Sequence, residues 1–392
     1  MAEAAQHVIF PDLQRSPASE PRHAPRSGAR LSQVDGLRAV AALWVVAYHG
    51  YVFFYERAVG PRGPLLVWMS RGHLGVPMFL VLSGFCLTLP SLQAGRYTVE
   101  GVDFLRRRAW RILPPYYLVM GSLSALIQLP ALRRMASQAP TDVTDLLLHV
   151  AMLHNLSGEH IFRISGPFWS IALECQLYGI FPLLLYGMRR PGVTSTAVLA
   201  LAAFTWASAP QASSPFSQFA YWHSLPSMLP LFVLGQLAAR AVASGATRGN
   251  LAAGLGVACF TAALCIPAAG PRARLASQGC AAVGTALLLV CSQETLAVRV
   301  LRARSLVFLG GVSYTLYLTH NPLISFAGKW ATARLSGWPL HLTACLSVLG
   351  AVGGAVLLFP WLERPFHALA RRGGLRPRPA EVLELRQGAV PK

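Results

Sequence analysis

Apolar residues gather into runs long enough to cross a bilayer, bounded by Arg, Pro or Gly, at about 36–55, 72–92, 112–130, 167–188, 194–209, 220–242, 250–270, 277–293, 306–328 and 340–362. The run at 194–209 is short for a span. The stretch 143–156 is shorter still and carries His149 and His154, so it reads as an eleventh, re-entrant or interfacial element. No repeat of 20–50 residues is visible. The pattern predicts an all-α polytopic membrane protein, one bundle of about ten transmembrane helices over 31–366. Residues 1–30 read as a disordered cytoplasmic tail without the apolar core of a signal peptide, and 367–392 as a basic cytoplasmic tail.

Composition agrees. The 392 residues are 54% hydrophobic and 12% charged, against about 25% charged in soluble domains. A net charge of +19 on a soluble chain would point to nucleic acid. In a membrane chain the same excess marks cytoplasmic loops, and no basic stripe with interleaved aromatics is present, so nucleic acid is excluded as a partner. Ten spans with both termini inside place Lys and Arg in cytoplasmic over outer segments by more than two to one. A full span at 143–156 would invert this and put Arg299, Arg302 and Arg304 outside. The seven cysteines show no CxxC or other metal spacing, so no metal is predicted. Cys86 and Cys175 remain nucleophile candidates, and the others read as small buried hydrophobes.

A few polar residues interrupt the apolar runs. Arg38 and His49 are eleven residues apart in the first. At about 100° per residue this is three turns plus roughly 20°, so they share a face about 16 Å apart along the axis. Ionisable groups in a span are costly and mark function by default. At the cytoplasmic mouth of the third run, Arg106 and Arg107 read equally as topogenic charge. Arg108 and Arg111, three apart, can point the same way, and a guanidinium fork suits phosphate oxygens. In the fourth run Ser170, Glu174 and Tyr178 form a stripe. For Ser170 and Tyr178 an inter-helix hydrogen-bond ladder is an equal reading; Glu174, the one acid deep in a run, calls for a functional reason. In the ninth, Ser313, Tyr317 and His320 share a face, and Pro322 frees carbonyls suited to a cavity wall. Counted from the outer helix ends at 1.5 Å per residue, His49, Glu174 and His320 fall about 9, 10 and 12 Å deep, which predicts one common level.

These segments, taken in order, resemble acyltransferase family 3, bacterial multi-pass membrane enzymes that acylate sugars and other hydroxyl acceptors. The resemblance covers about 31–366. It rests on Arg38 and His49 in their ten-residue spacing, the Phe79–Phe85 stretch around Ser83, Arg108 and Arg111, Trp169–Glu174, Ser313–His320, and Glu363-Arg364-Pro365.

The resemblance implies an acyl-CoA co-substrate taken from the cytoplasmic side. Arg108 and Arg111 would bind its phosphates, with Arg38 assisting. His49 would be the general base on an acceptor hydroxyl, and Glu174 its orienting partner or a holder of the acceptor. Ser83, Ser170, Tyr178, Ser313, Tyr317 and His320 would line the acceptor cavity. The expected acceptor is a sugar, a glycan or a glycosylated natural product of macrolide type, and the expected location the bacterial inner membrane. Some relatives append an extracytoplasmic hydrolase-like domain, whereas only 26 residues follow Phe366 here. With no nucleophile elbow or Ser-His-Asp order in sight, direct transfer is expected over an acyl-enzyme. A secondary transporter, or a flippase without chemistry, is the competing reading; internal repeats and paired broken helices, the usual transporter signs, are not found.

Overall fold

The structure, a computed structural model, describes residues 31–372 apart from 58, 137–139, 209–222, 247, 268–269 and 293. The tail expected at 1–30 lies outside the described residues; of that expected at 367–392, residues 367–372 are helical, continuing the helix Arg364–Arg372, and the rest lies outside the described residues. The described chain is helical: α1 (Ser32–Phe54), α2 (Gly63–Ser70), α3 (Gly75–Gln93), α4 (Gly101–Gln128), α5 (Pro130–Ala136), α6 (Val143–Val150), α7 (Trp169–Gly187), α8 (Pro191–Ser208), α9 (Leu225–Ala243), α10 (Asn250–Cys265), α11 (Gly270–Leu289), α12 (Leu296–Leu301), α13 (Arg304–Thr332), α14 (Gly337–Leu362) and α15 (Arg364–Arg372). Among the described residues the sole β feature is an isolated bridge between Arg248 and Cys291.

A helix occupies each of the ten apolar runs. Among the described residues, five segments are both long and apolar enough to cross a membrane: Ser32–Phe54, Gly63–Gln93, Gly166–Gly187, Leu225–Ala243 and Gly337–Leu362. Helices α4 and α13 are longer than most of these, at 28 and 29 residues. Both are more polar than these, carrying Arg106–Arg111 and the Ser313–Asn321 stretch. Helix α6 has eight residues, about 12 Å of rise, and cannot cross a core of about 30 Å. A reciprocal capping box between Asp142 and Asp145 starts it. Asp142, Asp145 and His160 bring ligand atoms within 4.8 Å of one another, but that box and the His160–Asp145 pair at 2.7 Å account for them.

Helix α1 packs along α13, α3 along α9, α13 along α14 and α10 along α11. Small residues let these backbones touch, because lipid tails supply no hydrophobic drive between helices. A Cβ on Gly84 would stand 2.0 Å from the Phe232 carbonyl, and one on Gly235 2.0 Å from that of Val81. Likewise a Cβ on Gly310 would meet the Asp35 carbonyl at 1.9 Å, fixing the crossing of α13 over the start of α1. Apolar side chains crowd the outward face of α14, where Leu349, Leu357 and Trp361 are 65%, 75% and 79% exposed. That surface suits acyl chains.

Candidate functional site

Helix α1 brings His49 to the wall of a cavity of about 340 Å³. Opposite it, α13 presents His320, which is fully buried. The imidazoles meet edge to face, with centroids 4.8 Å apart and His320 Nε2 3.2 Å from His49 Nδ1. Each Nδ1 also faces a carbonyl one turn back in its own helix: His49 that of Val45 and His320 that of Leu316, both at 2.9 Å. A carbonyl only accepts, so each Nδ1 carries its proton. His320 Nε2 is then a bare acceptor for the His49 Nδ1–H, and His49 keeps an unprotonated Nε2 for the cavity.

One turn inward on α13, Tyr317 also lines the cavity. Its hydroxyl meets Ser170 Oγ at 2.6 Å and donates to the Pro167 carbonyl at 3.3 Å. The Gly166–Phe168 turn, of 3-10 type, precedes α7, and its Pro167 carbonyl lies 3.1 Å from Ser170 Oγ as well.

Glu174 departs from the depth expected of it. Ser170 lies at the level of Tyr317, their hydroxyls 2.6 Å apart. Glu174 then lies one turn further in, about 10 Å from the His320 level along the two helix axes. Its Oε1 accepts from Tyr178 at 2.5 Å and from Ser83 on α3 at 3.2 Å. The two residues expected to share the catalytic role are thus held apart: His49 by Val45 and His320, Glu174 by Ser83 and Tyr178.

Below Glu174 the arginines converge. Arg108 lies 5.8 Å from the Tyr178 ring centroid and 5.7 Å from that of Phe104. Arg111 is in electrostatic range of Arg38, Arg108, Tyr178 and Glu174, and Arg38 of Asp35, Glu174 and Tyr178. Pro114 and Pro115, inside α4, lack the N–H groups that would meet the Trp110 and Arg111 carbonyls. This polar helix is held to α13 by Tyr314, whose hydroxyl donates to the Ile112 carbonyl at 2.8 Å.

Other expectations end in packing. Ser313 Oγ donates to Gly310 O of its own helix at 2.8 Å. Cys86 and Cys175 are half-buried against the apolar core and do not line the cavity. Sequence reasoning missed Asn321, Arg274 and Lys329, which line the cavity with His49. It also gave Glu363 no role beyond an ending. Glu363 is 1% exposed, and its Oε1 accepts from both the Thr315 N–H at 2.7 Å and the Thr315 hydroxyl at 2.5 Å. It thereby clamps the end of α14 to the middle of α13, within range of Arg38 and Arg111.

A helical bundle with a membrane-spanning apolar surface, a buried histidine pair at a cavity and an arginine cluster about 16 Å away along α1 is that of a multi-pass membrane protein built around chemistry. The Acyltransferase domain profile of acyltransferase family 3 matches residues 31–359, and the chain belongs to that family. It is 29% identical over 385 residues to the acyltransferase MdmB of Streptomyces mycarofaciens, a match covering 86% of this chain and 93% of that protein. To the putative peptidoglycan O-acetyltransferase YrhL of Bacillus subtilis it is 32% identical over 161 residues, 39% of this chain and 23% of the relative. For the peptidoglycan O-acetyltransferase OatA of Listeria monocytogenes the figures are 28% over 160 residues, 39% and 24%. The chain therefore spans about a quarter of the length of these two relatives. No solved structure matches.

Proposed function

We propose that this protein transfers an acyl group from acyl-CoA to a hydroxyl of a sugar, a glycan or a glycosylated natural product, with His49 as general base. The His49–His320 contact carries the reading. It fixes the tautomer that leaves His49 Nε2 able to accept a proton in the cavity, and a positioned histidine base is worth about 10² to 10⁴ in rate. As the acceptor oxygen attacks the thioester carbonyl, its proton passes to Nε2. The C–O bond forms, the C–S bond breaks, and the CoA thiolate leaves and takes that proton back. The family's acyltransferases and the O-acetyltransferase relatives support the same reaction class.

Arg108, Arg111 and Arg38 are the residues to hold the CoA phosphates. Arg38 and Arg111 stand within electrostatic range of the carboxylates Glu174 and Glu363, and their guanidinium forks, with that of Arg108 beside Tyr178, suit the oxygens of a phosphate handle. Glu174 then acts at this end, orienting arginines rather than the base. We further propose ten spans in a bacterial inner membrane, both termini cytoplasmic. The arginine cluster then faces the cytoplasm and the cavity opens on the opposite side. Transfer is direct: neither Cys86 nor Cys175 reaches the cavity.

The test is CoA release, measured by chromatography, from full-length protein in nanodiscs given acetyl- or propionyl-CoA and a panel of glycan and macrolide acceptors. His49→Ala should abolish release while melting like the parent. Undiminished turnover in that variant would refute the mechanism, and labelled acyl group retained on the protein without acceptor would refute direct transfer.

A further inference from the structure

We infer that Asn321 and Gln278 are specificity residues: each grips an acceptor hydroxyl that does not react, and together they decide which hydroxyl faces His49. This rests on reading the cavity as the acceptor site.

Tyr317, Asn321 and Ser325 follow one another at four-residue steps along α13 and all line the cavity, so they form one stripe of that helix. Two of the three are committed to the protein. Tyr317 is held by Ser170 and Pro167, and Ser325 Oγ donates to the Pro322 carbonyl at 3.0 Å. Asn321, between them, is 6% exposed, yet its carboxamide has no hydrogen-bond partner among the described residues. Its Nδ2 reaches toward the Gly166 turn in the same wall, where a Cβ on that glycine would lie 3.9 Å away. Asn321 directly follows His320, about 1.5 Å further along the axis, so it stands at the level of the histidine pair. A second helix, α11, contributes Gln278 to the wall. This carboxamide is also 6% exposed and also without a partner among the described residues.

Buried polar groups are paired as a rule, and leaving one unpaired is costly. An apolar side chain would fill either position without that cost. Two unpaired amides facing one cavity therefore point to a ligand that completes them. Each amide offers both a donor and an acceptor, and a hydroxyl answers both. An acyl thioester carbonyl could answer the donor alone. Two grips and a base make three fixed points, and a rigid ring bearing several hydroxyls satisfies all three in one orientation. The amides thus select the hydroxyl that reacts.

Full-length protein in nanodiscs with acetyl-CoA and the methyl glycosides of glucose, galactose and mannose tests this, with products located by NMR. The parent should acetylate one hydroxyl of its preferred sugar. Asn321→Leu and Gln278→Leu remove amides that no described protein group uses, so both should melt like the parent; serine replaces leucine wherever one does not. Each variant should lower kcat/KM about tenfold, the scale of a hydrogen bond lost from a buried hydroxyl, and scatter the acetyl group over other positions. Monodeoxy forms of the preferred sugar complete the cycle. Removing the hydroxyl gripped by Asn321 should cost the parent about tenfold and cost Asn321→Leu little more, because groups in contact do not add. Unchanged regiochemistry in both variants, or deoxy penalties that simply add to theirs, overturns the inference.

Equilibrium dialysis of the radiolabelled glycosides against His49→Ala separates the two readings. Sugar binding weakened by Asn321→Leu and Gln278→Leu, without CoA release from the parent, supports the grips and counts against acyl transfer. CoA release and products indifferent to both variants refute the grips alone. Failure of all three glycosides both to bind and to be acetylated also overturns the inference.

Discussion

His49 and His320 are 271 positions apart in the chain, yet Nε2 of His320 lies 3.2 Å from Nδ1 of His49. The contact gives His320 a positioning role: an acceptor at that point holds the base in one tautomer. His320→Gln keeps an acceptor oxygen near the Nε2 position, whereas His320→Leu removes it. Loss of the fixed tautomer should lower kcat about 10²-fold in the leucine variant, within the range general-base catalysis supplies. The KM for acyl-CoA should hold, and His320→Gln should stay within about tenfold of the parent. Equal loss in both variants would reduce His320 to packing.

The arginine end should respond in the other kinetic constant. Arg108→Gln and Arg111→Gln each remove a charged donor worth about 1.5–3 kcal/mol. That predicts a rise in KM for acyl-CoA of about tenfold or more, with kcat at saturation largely kept. The penalty should shrink with dephospho-CoA thioesters, which have fewer charges to lose. Steady-state kinetics with both donors decides; a fall in kcat at constant KM would place these arginines at the reacting atoms instead.

Much of this was legible before any coordinates. Long apolar runs announce helices because the bilayer demands length and hydrophobicity together, and the helical repeat puts Arg38 and His49 on one face. The contact between His49 and His320 was not, since packing of α1 on α13 carries no local signal. Depth counting failed at Glu174 for a similar reason: the level at which this helix sits is set by the packing of Ser170 against Tyr317, which no local pattern shows. Arg274 and Lys329 looked like loop charges because they flank apolar runs, and only the fold shows them turned into a cavity. Glu363 lies just beyond the last apolar run, where nothing reveals that Thr315 is its partner.

Close helix crossings give a stability prediction. A methyl on Gly84 or Gly235 would fall 2.0 Å from a backbone carbonyl that cannot rotate away, so α3 and α9 must separate. Gly84→Ala and Gly235→Ala should each cost about 1–3 kcal/mol, the usual range for overpacking. Gly254→Ala in α10 meets nothing within 4 Å and should leave stability equal or raised, as alanine favours helix. Thermal unfolding of the three variants in nanodiscs ranks them; equal melting of all three would contradict the tight crossing.

Acid should loosen the segment that carries α6. His149 and His154 are both fully buried, their rings stacked 3.8 Å apart and 3° from parallel. Burial, reinforced by the neighbouring His149, pushes His154 down to about 3, and burial lowers His149 as well. Asp145, His160 and Arg163 stand around the pair. In the unfolded segment both imidazoles titrate near 6.5, so below that pH the open form binds more protons than the closed one. Stability from the pair is therefore complete above about pH 6.5 and is lost as the pH falls toward the folded value, at about 1.4 kcal/mol per pH unit for each ring. Hydrogen exchange, corrected for intrinsic rates, should show protection over 143–168 falling between about pH 7 and pH 5. His154→Phe keeps a stacked ring but removes one titrating group, so its acid sensitivity should be smaller than the parent's. An unchanged pH dependence in that variant would assign the effect to Asp145 and His160.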